Sequence, residues 1–230
     1  MKHSYPISNQ PSESLILGLF LAFVGGFLDA YTYVARDHVF ANAQTGNIVL
    51  LGINIMEKNW MNMIYYLLPI LAFILGVVIV EMIKSKYKKQ ESLIHWRQII
   101  IAIEILSLFI VAFIPIGSEN MIANVIISFV CSMQVESFRT IKGNSIATTM
   151  CTGNLRSATE KLYCGLMYKK NTSIEKSFHY FFVILSFLLG ATLGAYITSC
   201  LVEKAVLCAC MLLLIVFIMM FAKEKPASSK

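Results

Sequence analysis

An all-α membrane protein, with six transmembrane helices arranged as two inverted three-helix repeats, is the fold this sequence predicts, and three observations predict it. Apolar residues make up 57% of the 230 and charged ones 14%, at a mean hydropathy of +0.70. A soluble domain of this size could not bury so much apolar surface. The apolar runs are long and do not alternate, so helices rather than barrel strands would carry the backbone through hydrocarbon. Finally, the triplet Thr45-Gly46-Asn47 returns 107 positions later as Thr152-Gly153-Asn154, each copy following an apolar run with a carboxylate near its end, Asp29 and Glu136.

The elements follow in order. Residues 1–14 form a polar tail with Pro6 and Pro11. Leu15 to Ala35 is a first span, too long for a signal-peptide core and without a small-residue cleavage pattern. Arg36 to Ala43 breaks the pattern, and Thr45 to Met56 resumes it for too few residues to cross, which predicts a half-helix. Met61 to Ile83 is the second span, with Pro69 and Gly76 as kink or close-packing points. Gln98 to Ile114, with Glu104 inside it, is the third, stopped by Pro115 and Gly117. In the second half Met121 to Ile141, Phe178 to Val202 and Ala205 to Ala222 are spans, and Thr152 to Met167 is the second short helix. The single domain thus divides into repeats of about 15–115 and 121–222, with a polar tail at 223–230.

Orientation comes from the basic residues. Of the nineteen Lys and Arg, sixteen fall on one side if the connection between the second and third spans is cytoplasmic. Arg36, Lys58 and Lys204 alone fall outside. The positive-inside rule then places both termini in the cytoplasm, and three spans per half require the halves to enter the bilayer in opposite senses.

The net charge of +6 therefore follows topology and gives no reason to expect nucleic acid. The cysteines Cys131, Cys151, Cys164, Cys200, Cys208 and Cys210 contain no C-x-x-C pair, and the four histidines lack metal spacing, so neither a cofactor nor a metal is expected. No nucleophile, base and orienting group can be assembled, and an enzyme is not expected.

At a helix start, Thr and Asn can cap free N–H groups and Gly permits close approach of another chain or a solute. Nine extended residues from Arg36 to Gln44 reach about 30 Å, enough to dip to mid-membrane. Two helix N-termini would then meet near the centre, with Thr45, Asn47, Thr152 and Asn154 inside the bundle. Turns at the membrane surface are the other reading, stronger for the second copy because Arg156, Glu160 and Lys161 are costly to bury. Asp29 and Glu136 are expected beside the triplet of their own half, either as proton-carrying groups or paired with Arg36 and Arg139. Tyr33 and Gln134 would add polar contacts.

The stretches GGFLDAYTYVARDHVFANAQTGNIVLLG and MQVESFRTIKGNSIATTMCTGNLRSATEKL resemble the YoaK family of uncharacterised bacterial multi-pass membrane proteins. The hallmarks lie at Gly26, Asp29, Ala30, Tyr33, Phe40, Thr45, Gly46 and Asn47, then at Gln134, Arg139, Ala147, Thr148, Thr149, Thr152, Gly153 and Asn154. The likeness runs from about Leu15 to Ala222 and implies a bacterial inner-membrane location without implying a chemistry. Glu136 departs from it, standing where many members carry an uncharged amide.

The function expected is a transporter or permease for a small polar or anionic solute, with Asp29, Tyr33, Thr45, Gly46, Asn47, Gln134, Glu136, Arg139, Thr152, Gly153 and Asn154 around the solute. Gly190 and Gly194 offer a packing face that would support a homodimer. The alternative is a structural or partner-binding membrane protein whose basic face, Arg156, Lys161, Lys169 and Lys170, meets anionic lipid or a soluble partner. Topology reporters fused after Lys89 and after Lys204 should report a cytoplasmic and an external position respectively. An external residue 89 would contradict the inverted arrangement.

Overall fold

A computed structural model describes residues 13–87 and 95–221. The N-terminal tail up to residue 12, Lys88 and Lys89, and the C-terminal tail lie outside the described residues. Eight α-helices occur among those described: α1 (Leu15–Ala35), α2 (Gln44–Met56), α3 (Trp60–Tyr87), α4 (Trp96–Val111), α5 (Asn120–Ser137), α6 (Cys151–Met167), α7 (Asn171–Leu201) and α8 (Val206–Met219). The fold is an all-α membrane fold, and both short helices, α2 and α6, begin within one residue of the Thr-Gly-Asn triplets.

Three stretches are long and apolar enough to cross a bilayer: Leu15–Ala35, Trp60–Tyr87 and Asn171–Met219, the last holding both α7 and α8. At 1.5 Å per residue α4 and α8 are only about 24 and 21 Å long, less than the ~30 Å of hydrocarbon. Crossing by these two helices would draw on the residues that flank them.

Helix α1 is the hub. Its apolar window is 67% buried, against 22% for α3, whose Leu67, Leu71, Ile74, Leu75 and Val78 face outward. It packs along α7 and also against α8 and α5, while α3 packs on α5 and α2, α6 on α7, and α4 on α5 and α8. The α1–α7 contact joins backbone to backbone. A Cβ on Gly190 would strike the Phe23 carbonyl, one on Gly194 would meet Phe27, and one on Gly26 would strike the Phe187 carbonyl. Ser186 Oγ also donates to the Leu19 carbonyl at 2.7 Å. Both helices advance by four residues between contacts, so they run parallel. The Gly190–Gly194 face is thus filled by α1 of the same chain, and the support it offered for a homodimer is lost.

Two further boundaries differ from the sequence reading. Helix α5 ends at Ser137, not Ile141, because Thr140–Ile141 pairs antiparallel with Asn144–Ser145 in a two-residue hairpin. Lys142 (φ 49°) and Gly143 (φ 71°) form its turn, the positive-φ pair that tight hairpins demand. Helix α7 begins at Asn171, seven residues before the expected Phe178; its 31 residues span about 46 Å, so its polar first turns need not lie in hydrocarbon.

Gly190→Ala should destabilise the fold by about 1–3 kcal/mol or more, because the new methyl meets backbone that cannot yield. Thermal unfolding of the purified protein would read this as a lowered Tm. Gly52→Ala, where a Cβ meets nothing within 4 Å, should be neutral or mildly stabilising.

Candidate functional site

The chain leaving α1 turns back along it, and side chains satisfy the backbone exposed by that turn. Asp29, four residues beyond Gly25 on the same face of α1, accepts the Asn42 N–H on Oδ1 at 2.9 Å. Asn42 Nδ2 donates to the Gly25 carbonyl at 2.9 Å. Gln44 Nε2 donates to the Ala41 carbonyl at 2.8 Å and to Ser128 Oγ of α5 at 2.7 Å. Asn47, fully buried, donates from Nδ2 to the Phe40 carbonyl and to Gln44 Oε1, both at 2.9 Å.

In the second half the same work is done in the same places. Asn154 donates from Nδ2 to the Ala147 carbonyl at 2.6 Å and accepts the Ala147 N–H at 3.3 Å. This bond spans seven residues, as does Asn47 to Phe40, and the two lie 107 positions apart. Gln134 of α5 donates from Nε2 to Thr148 Oγ1 at 3.1 Å and to the Leu21 carbonyl of α1 at 3.2 Å. Where a Cβ would stand on Gly25, Thr149 Cγ2 lies at 3.0 Å and the Thr148 carbonyl at 3.3 Å. Both segments that lead into the short helices therefore meet at Gly25, the central residue of α1, wedged between α1 and α5.

Several expected members stand elsewhere. Thr45 and Thr152 are exposed rather than interior, as is Gly153, and Gly46 is half-buried beside Phe40. The triplets do not cap their helices through side chains: the N-cap residues are Ala43 and Met150, with no side-chain cap bond. The asparagines act backward instead, as donors to upstream carbonyls. Tyr33 is exposed and stacks on Phe40 at 4.9 Å.

Glu136 does not turn back to its own segment as Asp29 does to Asn42. It is two residues beyond Gln134, about 200° around the helix, and turns to Arg139 at 3.2 Å and Lys84 at 4.0 Å. These three line a separate cavity of about 510 Å³ with Glu13, His95, Trp96 and Arg97. Burial, with Arg97 beside it, holds the His95 imidazole below its ordinary range.

Arg36 does not pair with Asp29. It is fully buried at the C-cap of α1, where Nη1 donates to the Pro115 carbonyl and Asn120 Oδ1, each at 3.0 Å, and Nη2 to the Ile114 carbonyl and the Tyr31 hydroxyl, each at 2.8 Å. Nη2 also donates to the carbonyl of Val111, the last residue of α4, at 3.4 Å, and a helix C-terminus is the favourable pole of the dipole for a cation. Glu104 is fully buried, and neither carboxylate oxygen has a hydrogen-bond partner among the described residues.

Sequence reasoning passed over Gly25, Asn42, Gln44 and Ser128, and it counted Thr148 and Thr149 only within the family likeness. The signal for Asn42, Gln44, Thr148 and Thr149 was present as amides and hydroxyls in the stretches ANAQ and ATTM, just before each triplet.

The family model described as "Protein of unknown function (DUF1275)" matches residues 17–219. The UPF0700 transmembrane protein YoaK of Bacillus subtilis (strain 168) is 28% identical over 160 residues, 65% of this chain and 68% of that protein. No solved structure matches the chain.

Asn47→Ala and Asn154→Ala each leave a half-buried carbonyl without its donor and should cost about 1–3 kcal/mol. Thermal unfolding should show comparable losses for the two, whereas Thr45→Ala and Thr152→Ala should stay within about 0.5 kcal/mol of the parent.

Proposed function

We propose that this chain, which belongs to the DUF1275 family of proteins of unknown function, transports a small polar or anionic solute. On this reading it sits in the bacterial cytoplasmic (inner) membrane with both termini inside, as two inverted three-span repeats. The observation that carries the reading is the meeting of two interrupted segments, one from each half, at the central residue of α1. If α1 crosses the bilayer, Gly25 lies at mid-depth. Irregular backbone there is tolerated only where protein buries it or where it lines a cavity, and in transporters such breaks form the binding site. The partial positive charge at the N-termini of α2 and α6 favours an anionic or polar solute.

The packing supports the repeat. Exchanging α1 with α5, α2 with α6, α3 with α7 and α4 with α8 turns the α1–α7 contact into α5–α3. The same exchange turns α2–α3 into α6–α7 and α4–α5 into α8–α1, and all of these contacts occur. Gly190 of α7 lies on the Phe23 carbonyl of α1 as Gly76 of α3 lies on the Phe129 carbonyl of α5. The parallel course of α1 and α7 agrees with the alternation that the basic residues require. Of the two carboxylates first considered for proton coupling, Asp29 keeps that role, because Glu136 is taken up by Lys84 and Arg139.

The test is uptake by proteoliposomes of a panel of small polar and anionic solutes under imposed proton and sodium gradients. Flux through the parent, at least tenfold reduced by Asp29→Asn and by Gly46→Leu, is the expected result. Absence of flux for every solute, together with an unchanged cellular phenotype for Gly46→Leu, would remove the reading. Neutralising Lys169 and Lys170 should leave flux intact; loss of function there, with Asp29→Asn tolerated, would favour a partner-binding protein.

A further inference from the structure

The cavity beside Glu136 is built by five stretches of chain that meet at one end of the bundle. Glu13 stands just before α1, Lys84 is in the last turn of α3, Arg97 in the first turn of α4 and Glu136 in the last turn of α5. Thr140 and Ser145, paired across the hairpin, complete the wall with two hydroxyls. Leu15, the first residue of α1, is ten residues or about 15 Å from Gly25. With Gly25 at mid-depth, that is half of the ~30 Å of hydrocarbon, so the cavity lies just beyond it, at the level of lipid headgroups. On the orientation the basic residues require, this is the cytoplasmic side.

The charges around the cavity balance. Arg97 Nη2 meets Glu13 Oε1 at 3.4 Å, and Arg97 Nε donates to the Ser137 carbonyl at 2.9 Å. Arg139 Nη1 and Lys84 Nζ approach the same Glu136 oxygen, at 3.2 and 4.0 Å, and Lys84 Nζ also meets Glu81 Oε1 at 2.5 Å. Three cations thus stand with three carboxylates. His95 adds no charge, because its Nδ1 accepts the Arg97 N–H at 3.3 Å and an imidazolium has no acceptor.

We propose that this cavity holds a zwitterionic lipid headgroup of the cytoplasmic leaflet, a phosphate joined to a primary ammonium. Balanced walls choose the net charge of the guest: a simple anion or a bare cation would leave one charge uncompensated, whereas a zwitterion leaves none. Lys84 carries three N–H donors and Arg139 five, so both keep hydrogens for phosphate oxygens beyond those given to Glu136. Glu13 and Glu136 are acceptors for the ammonium. A quaternary ammonium suits the site less. It has no N–H to give the carboxylates, and the Trp96 ring it would seek is 5% exposed and already carries the Arg97 guanidinium at 5.1 Å. A volume of about 510 Å³ suits a small molecule or a headgroup. The acyl chains would therefore stay in the bilayer, beside the outward residues Val78 and Met82 of α3. The depth of the cavity selects a lipid over a free zwitterion, and the binding needs no transported solute.

The experiment is thermal unfolding of the full-length protein, delipidated in detergent micelles, with phosphatidylethanolamine, phosphatidylcholine or phosphatidylglycerol of one chain length added back. Phosphatidylethanolamine should raise Tm by about 5 °C at saturation, and the other two by less than half as much. Glu136→Gln and Arg139→Gln should each cut that increment at least by half, whereas Lys169→Gln with Lys170→Gln, outside the cavity, should keep it. If Glu136→Gln does not fold, Arg139→Gln decides, since the Arg139 side chain is 67% exposed and its loss is tolerated. Equal increments from the three lipids, or a larger one from phosphatidylglycerol, would overturn the proposal. So would an increment unchanged in both cavity variants, or one lost only on neutralising Lys169 and Lys170. Soluble phosphoethanolamine should give no increment at the lipid's concentration; an equal increment would overturn the membrane source and assign the cavity to a free zwitterion. Solute flux without a headgroup preference would remove this inference and leave transport standing; a headgroup preference without flux would do the reverse.

Discussion

Backbone that leaves a helix inside a membrane protein must find hydrogen-bond partners within the chain, because hydrocarbon offers none. The structure meets that requirement twice with the same device, a buried amide or carboxylate standing in for the missing peptide partner. Asn47 serves the Phe40 carbonyl and Asn154 both polar groups of Ala147, while Asp29 receives the Asn42 N–H. Asn124 of α5 donates to the Arg36 carbonyl at 2.8 Å. Without these side chains the segments 36–43 and 138–150 could not leave the helical path without stranding buried polar groups.

The rest of the bundle is arranged to hold those segments. Helix α1 gives up side-chain volume at Gly25, where the second segment seats, and at Gly26, where α7 approaches. Parallel packing of α7 on α1 and of α3 on α5 leaves α1 and α5 as the inner pair, and both segments are clasped between them. Arg36 closes the end of α1 against the Ile114 and Pro115 carbonyls in the turn that follows α4, which ties the turn after the first helix to the end of the first half.

Much of this was legible in the sequence because it follows from hydropathy and length. The bounds of α1 agree with the apolar run, and α2 and α6 start where the polar stretches end. What sequence could not supply was direction around a helix and distance through space. Asp29 and Glu136 align at a shift of 107, yet the α5 residue that ties back to its own segment is Gln134; at that shift α5 ends five residues before α1 does, and the hairpin at Thr140–Ser145 takes the place of the last helical turn. The triplets drew attention through their identity, but the asparagine alone is buried in each. The polar residues just upstream make the junction, and nothing in their spacing says which helix they will touch.

The central claim is that the two interrupted segments meet inside the bundle instead of resting at opposite membrane faces. Spin labels at positions 46 and 153, both without close packing around a Cβ beyond the Phe40 ring, would measure it directly by dipolar spectroscopy in nanodiscs. A separation well below about 25 Å is the predicted result. A separation above about 25 Å, most of the ~30 Å hydrocarbon thickness, would put the triplets at opposite surfaces and contradict the account.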